Sequence, residues 1–133
     1  MINIVNAILC RDGKILLAKR SPSRKAYANK WSFPGGHVEQ GETLSEALKR
    51  ELDEELSITP MEFSLIGKID DPNVLAGTPI RYHMFLVTRW GEGEPVITDE
   101  EHAEIAWMSP ATAVNLDDLA LIEYREIFLR LSA

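Results

Sequence analysis

Between Gly36 and Ile58 the chain reads GHVEQGETLSEALKRELDEELSI, a turn-forming stretch that runs directly into a strong helix signal. Thr43 is a good N-cap, and Glu46 three residues later completes a capping-box pattern. From Leu44 to Leu56 there is neither Gly nor Pro, and Leu, Glu, Lys, Arg and Ala dominate. These are strong helix formers. At about 100° per residue, Leu44, Leu48, Leu52 and Leu56 make one apolar stripe with Ala47 beside it.

The charged residues of this helix divide into two groups. Glu46, Lys49, Arg50 and Asp53 fall opposite the stripe, where solvent is expected. Glu51, Glu54 and Glu55 fall beside it, and the i, i+3 and i+4 spacings bring them into one neighbourhood. Burying such charges unpaired costs on the order of several kcal/mol. A divalent cation with a preference for oxygen, Mg²⁺ or Mn²⁺, relieves both the burial and the mutual repulsion. From the spacing alone, a solvated and charge-rich helix is the alternative. Phe33-Pro34-Gly35-Gly36 favours the site, because it ends an apolar run in a forced turn where glycine lets the backbone approach closely. Gly41 gives a second flexible point, and a carbonyl of the turn is a further candidate metal ligand.

The segment resembles the Nudix box. That pattern is a Gly, five residues, a Glu, seven residues, and then R-E-U-x-E-E-x-G-U, with U bulky and apolar. Here Gly36, Glu42 and the run Arg50-Glu51-Leu52-Asp53-Glu54-Glu55 occupy the charged and glycine positions, and Ile58 the last apolar one. Ser57 stands where the family has Gly. A non-Gly residue in the left-handed conformation expected there costs about 1 kcal/mol, but no proposed ligand is lost. ANKWSFPGG before the box, and WGEGEP and AWMS after it, are similar to MutT-type Nudix hydrolases.

The resemblance implies an α/β (α+β) fold, the Nudix α/β/α sandwich with a mixed β-sheet between helices. It implies Mg²⁺-dependent (or Mn²⁺-dependent) hydrolysis of a nucleoside diphosphate linked to X. For a nucleoside triphosphate the products are NMP and pyrophosphate, a reaction that suits nucleotide-pool sanitation. Glu51, Glu54 and Glu55 are then metal ligands, with the Gly36 carbonyl as a possible fourth. Arg50 orients a box carboxylate, with Glu54 the expected partner. Glu42 is a weaker ligand or a support for one. The general base is a box Glu or a Glu on a later loop, where Glu101 fits the spacing better than Glu100. ADP-ribose, nucleotide sugars and dinucleoside polyphosphates share the cleaved bond and are alternative substrates. MutT-type enzymes selective for 8-oxoguanine carry an Asn near the start of the last helix. The corresponding LDDLALIEYRE has none, and Asn115 lies several residues early. A nucleotide-binding Nudix-like domain without catalysis is the reading from another class, but such domains usually lose box carboxylates. A plain interaction protein is a third.

Other positions are readable for binding only. Arg20, Arg24, Lys25 and Lys30 are candidates to meet phosphates, with Arg20 and Lys30 preferred. Phe33, Tyr27, Trp31, Tyr82 and Trp107 are candidates to stack a base, with Phe33 preferred. Strand aromatics are also ordinary core residues. His37 reads as an exposed turn residue, and His83 and His102 carry no separate signal.

At 133 residues, 45% of them hydrophobic, the chain is expected to form one domain, 1–133. No apolar run reaches the roughly 18 residues of a membrane span. MINIVNAILCRDGK reads as a strand rather than a signal peptide. One cysteine, Cys10, leaves no internal disulfide and suits a reducing cytoplasm. A net charge of −7 argues against long nucleic acid as partner, though not against a small nucleotide. Nothing in the pattern specifies an oligomeric state.

Strands are expected at 2–10, 15–19, 31–33, 37–39, 61–69, 80–90 and 104–108. Arg11-Asp12-Gly13-Lys14 is expected to form a hairpin turn. Residues 21–30, 71–79 and the acidic 91–101 read as loops. In 117–131, apolar residues at 119, 122, 127 and 129 predict a closing helix.

Overall fold

A computed structural model describes residues 1–71, 77–91, 93–98 and 101–131. Its elements are β1 (Ile2–Arg11), β2 (Lys14–Arg20), β3 (Trp31–Ser32), β4 (Gly35–His37), α1 (Leu44–Leu56), β5 (Pro60–Asp70), β6 (Ile80–Trp90), β7 (His102–Met108), α2 (Pro110–Ala113) and α3 (Tyr124–Leu131). Asp12 and Gly13 both take positive φ, 53° and 74°. That matches a type I′ turn, whose twist suits a tight hairpin.

β1 organises the sheet. One edge runs parallel to β6 from Ile2 to Leu9. Its other edge forks, pairing antiparallel with β4 at Ile4–Asn6 and with β2 at Cys10–Arg11. β2 goes on to pair with β3 and β7, and β5 lies beyond β6. The sheet is therefore mixed, as expected.

Side chains alternate between two covered faces. Val5, Ala7, Leu9, Leu16, Phe85 and Val87 pack with Ala47, Leu48, Leu52 and Leu56 of α1. Ile8, Ile15, Leu17, Tyr82 and Met84 pack with Ala113 of α2 and with Tyr124, Ile127 and Phe128 of α3. Helices on both faces explain why Val5–Leu9 are all fully buried or nearly so. Each large apolar side chain buried this way contributes roughly 1.5–3 kcal/mol. The result is the expected α/β/α sandwich.

α1 has the expected bounds, and its capping box is formed in both directions between Thr43 and Glu46. Ser57 is left-handed, φ 58° and ψ 38°, and its N–H donates to the Asp53 carbonyl. The strained helix end is therefore real.

Three readings change. β4 lies at Gly35–His37 rather than 37–39, because those residues pair with β1. β7 begins at His102 rather than at the expected 104, and His102 is buried in the strand. The closing helix begins only at Tyr124, and α2 precedes it. Residues 118–120 run extended beside β3: Trp31 N–H donates to the Asp118 carbonyl, and Ala120 N–H to the Trp31 carbonyl. A helical wheel drawn from Asp117 is therefore out of phase, which leaves Ile122 and Leu129 exposed while Leu121, Tyr124 and Phe128 are buried. Glu100 and residues 72–76 lie outside the described residues. Among the described residues no helix is long and apolar enough to cross a membrane.

Candidate functional site

A cavity of about 380 Å³ opens where β1 forks, walled by the β4 turn, α1, Tyr82 of β6, the start of β7 and Tyr124 of α3. Two adjacent glycines shape it for different reasons. At Gly35, φ is 151°, and a Cβ would sit 1.8 Å from the Val5 carbonyl oxygen, so only glycine lets β4 lie against β1. At Gly36 a Cβ would sit 2.5 Å from the Glu51 carboxylate, so the bare backbone makes room for that acid. Gly35 N–H donates to Glu55 Oε2 at 2.9 Å, and Glu55 is only 2% exposed.

Arg50 ties the acids together. Its Nε and Nη2 donate to both oxygens of Glu42, at 2.7 and 2.9 Å. Nη1 donates to Glu51 at 2.8 Å and to Glu54 at 3.3 Å, and Nη2 also reaches the His37 carbonyl at 2.9 Å. One expectation is corrected here and another is extended. Arg50 does not point to solvent, because its long side chain curls back to the turn. The expected bond to Glu54 is made, and Glu42 is the stronger partner, because only Glu42 presents both oxygens to the guanidinium fork. This pairing, with help from the Glu39 N–H, holds the Glu42 carboxyl down to about 2 and raises Arg50. Burial pushes the Glu51 carboxyl up, partly offset by Arg50.

The donors Glu51, Glu54, Glu55 and the Gly36 backbone are all oxygen, the chemistry of a hard divalent cation. The close seat of Glu51 on Gly36 fits that use. Among the described residues no three His, Cys, Asp or Glu side chains already converge as a cage. Arg50 supplies the positive charge between Glu51 and Glu54 in this arrangement.

The other expected residues separate. Glu101 lines the cavity and pairs with Arg24 at 3.0 Å. Arg20 lines it half-buried, its Nε donating to the Ala26 carbonyl at 2.9 Å, and burial lowers its pKa. Phe33 contributes to one wall from within the core, edge-on to Tyr124 at 4.9 Å. Tyr27, Tyr82, His37 and His102 also line it. Lys30 and Lys25 do not: both side chains lie exposed outside its lining. Trp107 stacks on Trp90 with Arg11 above it, and Trp31 lies under Lys19, both apart from the cavity. His83 pairs with Asn3 and is likewise elsewhere.

Sequence reasoning missed Asn6 and Tyr124. Asn6 is buried, its Nδ2 facing the Phe33 carbonyl at 3.4 Å and its Oδ1 accepting from the Tyr124 hydroxyl at 3.4 Å. A lone amide within the apolar stretch INIVNAILC was the available signal.

A profile described as NUDIX domain matches residues 2–131. The 8-oxo-dGTP diphosphatase of Escherichia coli (strain K12) is 37% identical over 117 residues, covering 88% of this chain and 86% of that protein. The CTP pyrophosphohydrolase of the same organism is 35% identical over 127 residues, covering 92% and 90%. The solution structure of the E. coli ORF135 protein superposes with a TM-score of 0.84 at 35% identity, covering 100% of this chain and 91% of that one. MutT protein from Methanosarcina mazei Go1 superposes with a TM-score of 0.85 at 27% identity, covering 98% and 92%.

Proposed function

Because the chain belongs to the Nudix family, and is a pyrophosphohydrolase of that family, we propose that it hydrolyses a nucleoside triphosphate to NMP and pyrophosphate with Mg²⁺. The observation that carries this reading is the seat of Glu51 on Gly36 beside Glu55 on Gly35, at the rim of a nucleotide-sized cavity. Two of the relatives are named for triphosphate substrates, which supports the substrate class. The chain acts as a single domain in the cytoplasm on a small nucleotide.

Glu51, Glu54, Glu55 and the Gly36 carbonyl would hold the metal. When bound, it neutralises phosphate oxygens and lowers the pKa of a coordinated water. Arg50 aims Glu51 and Glu54. Glu101 takes the proton of the attacking water, the water oxygen bonds to phosphorus, and pyrophosphate leaves as the bridging bond breaks. Arg20 meets phosphate, and Phe33 forms part of the surface against which the base lies. Ala120 and Leu121 make part of the cavity wall apolar. Base selection therefore falls to shape and to the polar groups of Asn6 and the tyrosines.

The test is product analysis over the common NTPs and dNTPs, 8-oxo-dGTP, ADP-ribose and a dinucleoside polyphosphate, with Glu54→Gln as control. NMP and pyrophosphate from a triphosphate are expected. Turnover in the variant should be slower by more than about 100-fold, beyond what loss of a mere ligand support costs. A variant that keeps the wild-type rate refutes the assignment of Glu54. Cleavage of ADP-ribose or a dinucleotide with no triphosphate hydrolysed refutes the substrate class.

A further inference from the structure

Three arginines line the cavity, and they differ in how firmly they are held. Arg50 is committed to Glu42, Glu51, Glu54 and the His37 carbonyl. Arg20 is fixed by Ala26 through its side chain, and its backbone closes the 21–30 loop through bonds to Asn29 and Lys30. Arg24 sits on that loop and pairs with Glu101, with side-chain exposures of 30% and 52%. A pair this exposed is weakly held. A terminal phosphate carries more charge than a carboxylate and accepts the guanidinium fork through two oxygens.

The backbone around the pair stays tied whatever its side chains do, because Ser21 N–H donates to the Glu101 carbonyl at 2.9 Å. Exchange at Arg24 therefore frees the Glu101 carboxylate without removing it from the cavity.

We propose that Arg24 recognises the terminal phosphate of a nucleoside triphosphate by trading its Glu101 partner for that phosphate, so that triphosphate binding itself releases Glu101 to the reacting water. This rests on the triphosphate reading above and adds its recognition residue. It makes Arg24 a determinant of triphosphate over diphosphate, a distinction the box acids do not make.

The experiment measures binding of α,β-methylene-CTP and of CDP, each with Mg²⁺, to wild type, Arg24→Gln, Glu101→Gln and the double variant. Thermal melts confirm that each is folded. Arg24→Gln should weaken the triphosphate analogue about tenfold, the loss of one charge-assisted hydrogen-bonding group, and CDP by less than about twofold. Glu101→Gln should tighten the analogue severalfold, because the competitor for Arg24 is gone, and the double variant should return to the Arg24→Gln value. Equal weakening of both nucleotides by Arg24→Gln, or no gain in Glu101→Gln, overturns the inference. Analogue binding unchanged in Arg24→Gln overturns it while leaving the proposed function standing. A wild type that neither binds the analogue nor hydrolyses triphosphates removes both.

Discussion

Replacing Gly36 by Ala separates the site from the scaffold. A Cβ there would lie 2.5 Å from Glu51 Cδ and Oε2 and 2.6 Å from Oε1, against an ordinary contact of 3.4–4 Å. The carboxylate must retreat by about 1 Å, a misplacement that can cost about 100-fold in rate. The stability cost is smaller, because the obstacle is a side-chain end. Moving it off its preferred geometry costs about 1 kcal/mol, or a Tm drop of roughly 3–5 °C at this chain length. Gly35→Ala is the contrasting control. Its Cβ would meet the Val5 carbonyl oxygen at 1.8 Å and Val5 C at 2.8 Å, and backbone paired into a sheet has nowhere to go. Overpacking and a strained φ together should cost about 3 kcal/mol or more, a Tm drop of roughly 10 °C. The assay is thermal unfolding without metal, followed by kcat/KM against Mg²⁺ concentration. Gly36→Ala should melt near wild type, with turnover reduced about 100-fold and a raised metal requirement. If it turns over within about threefold of wild type at the same metal dependence, the seat of Glu51 on Gly36 has no catalytic meaning.

Three further outcomes follow from the contacts. Ser57→Gly relieves a left-handed non-Gly residue at the end of α1 and should stabilise by about 1 kcal/mol; an unchanged or lower melting temperature contradicts that account. Tyr27→Phe removes the 2.7 Å hydrogen bond to the buried Asp71 carboxylate and should cost about 1.5–3 kcal/mol. Tyr82→Phe, whose bond to the same oxygen is 3.3 Å, should cost less, and denaturant melts that reverse the order refute the ranking. The Glu42 carboxyl is held down to about 2 by Arg50 first and the Glu39 N–H second. A depressed folded pKa contributes stability that is fully present above the unfolded value of about 4.3, and is lost as pH falls from there toward about 2. The Tm gap between wild type and Glu42→Gln should therefore narrow across that window, and a gap constant with pH would show that Arg50 does not hold Glu42 this way.

What was legible in the sequence was local. The bounds of α1, its capping box and its Leu stripe depend on neighbours within a turn or two, and the structure keeps them. The Asp12-Gly13 hairpin is legible for the same reason. Glu51 and Glu55 were readable as site residues because acids beside an apolar stripe break the expected division of a surface helix. The orienting role of Arg50 was legible from the box pattern, but its wheel position toward solvent was not right, because the wheel fixes where Cβ points, whereas a guanidinium at the end of a long stem goes where its partners are. Those partners, Glu42 and the His37 carbonyl, sit on the preceding turn. The phase of 117–131 failed because Trp31 captures Asp118 and Ala120 in extended form, an interaction spanning most of the chain. The Asn6–Tyr124 contact bridges 118 positions, and no periodicity reports it.

The same geometry gives the acidic helix an internal countercharge. Glu51, Glu54 and Glu55 lie within little more than one turn, and two of them are largely withdrawn from water. Without an internal countercharge, such a cluster would couple folding to metal binding, as in small metal-dependent domains. Arg50 provides that countercharge, and Glu42 holds Arg50 in place with both carboxylate oxygens. One oxygen of Glu55, Oε2, accepts separately from the Gly35 N–H. The glycine turn therefore has two functions. It lets β4 close against the fork of β1, and it delivers the backbone groups that seat two of the three acids. The box pattern joins these residues because the turn, the arginine and the acids are one structural unit, in which the loss of any member exposes the charge of the others.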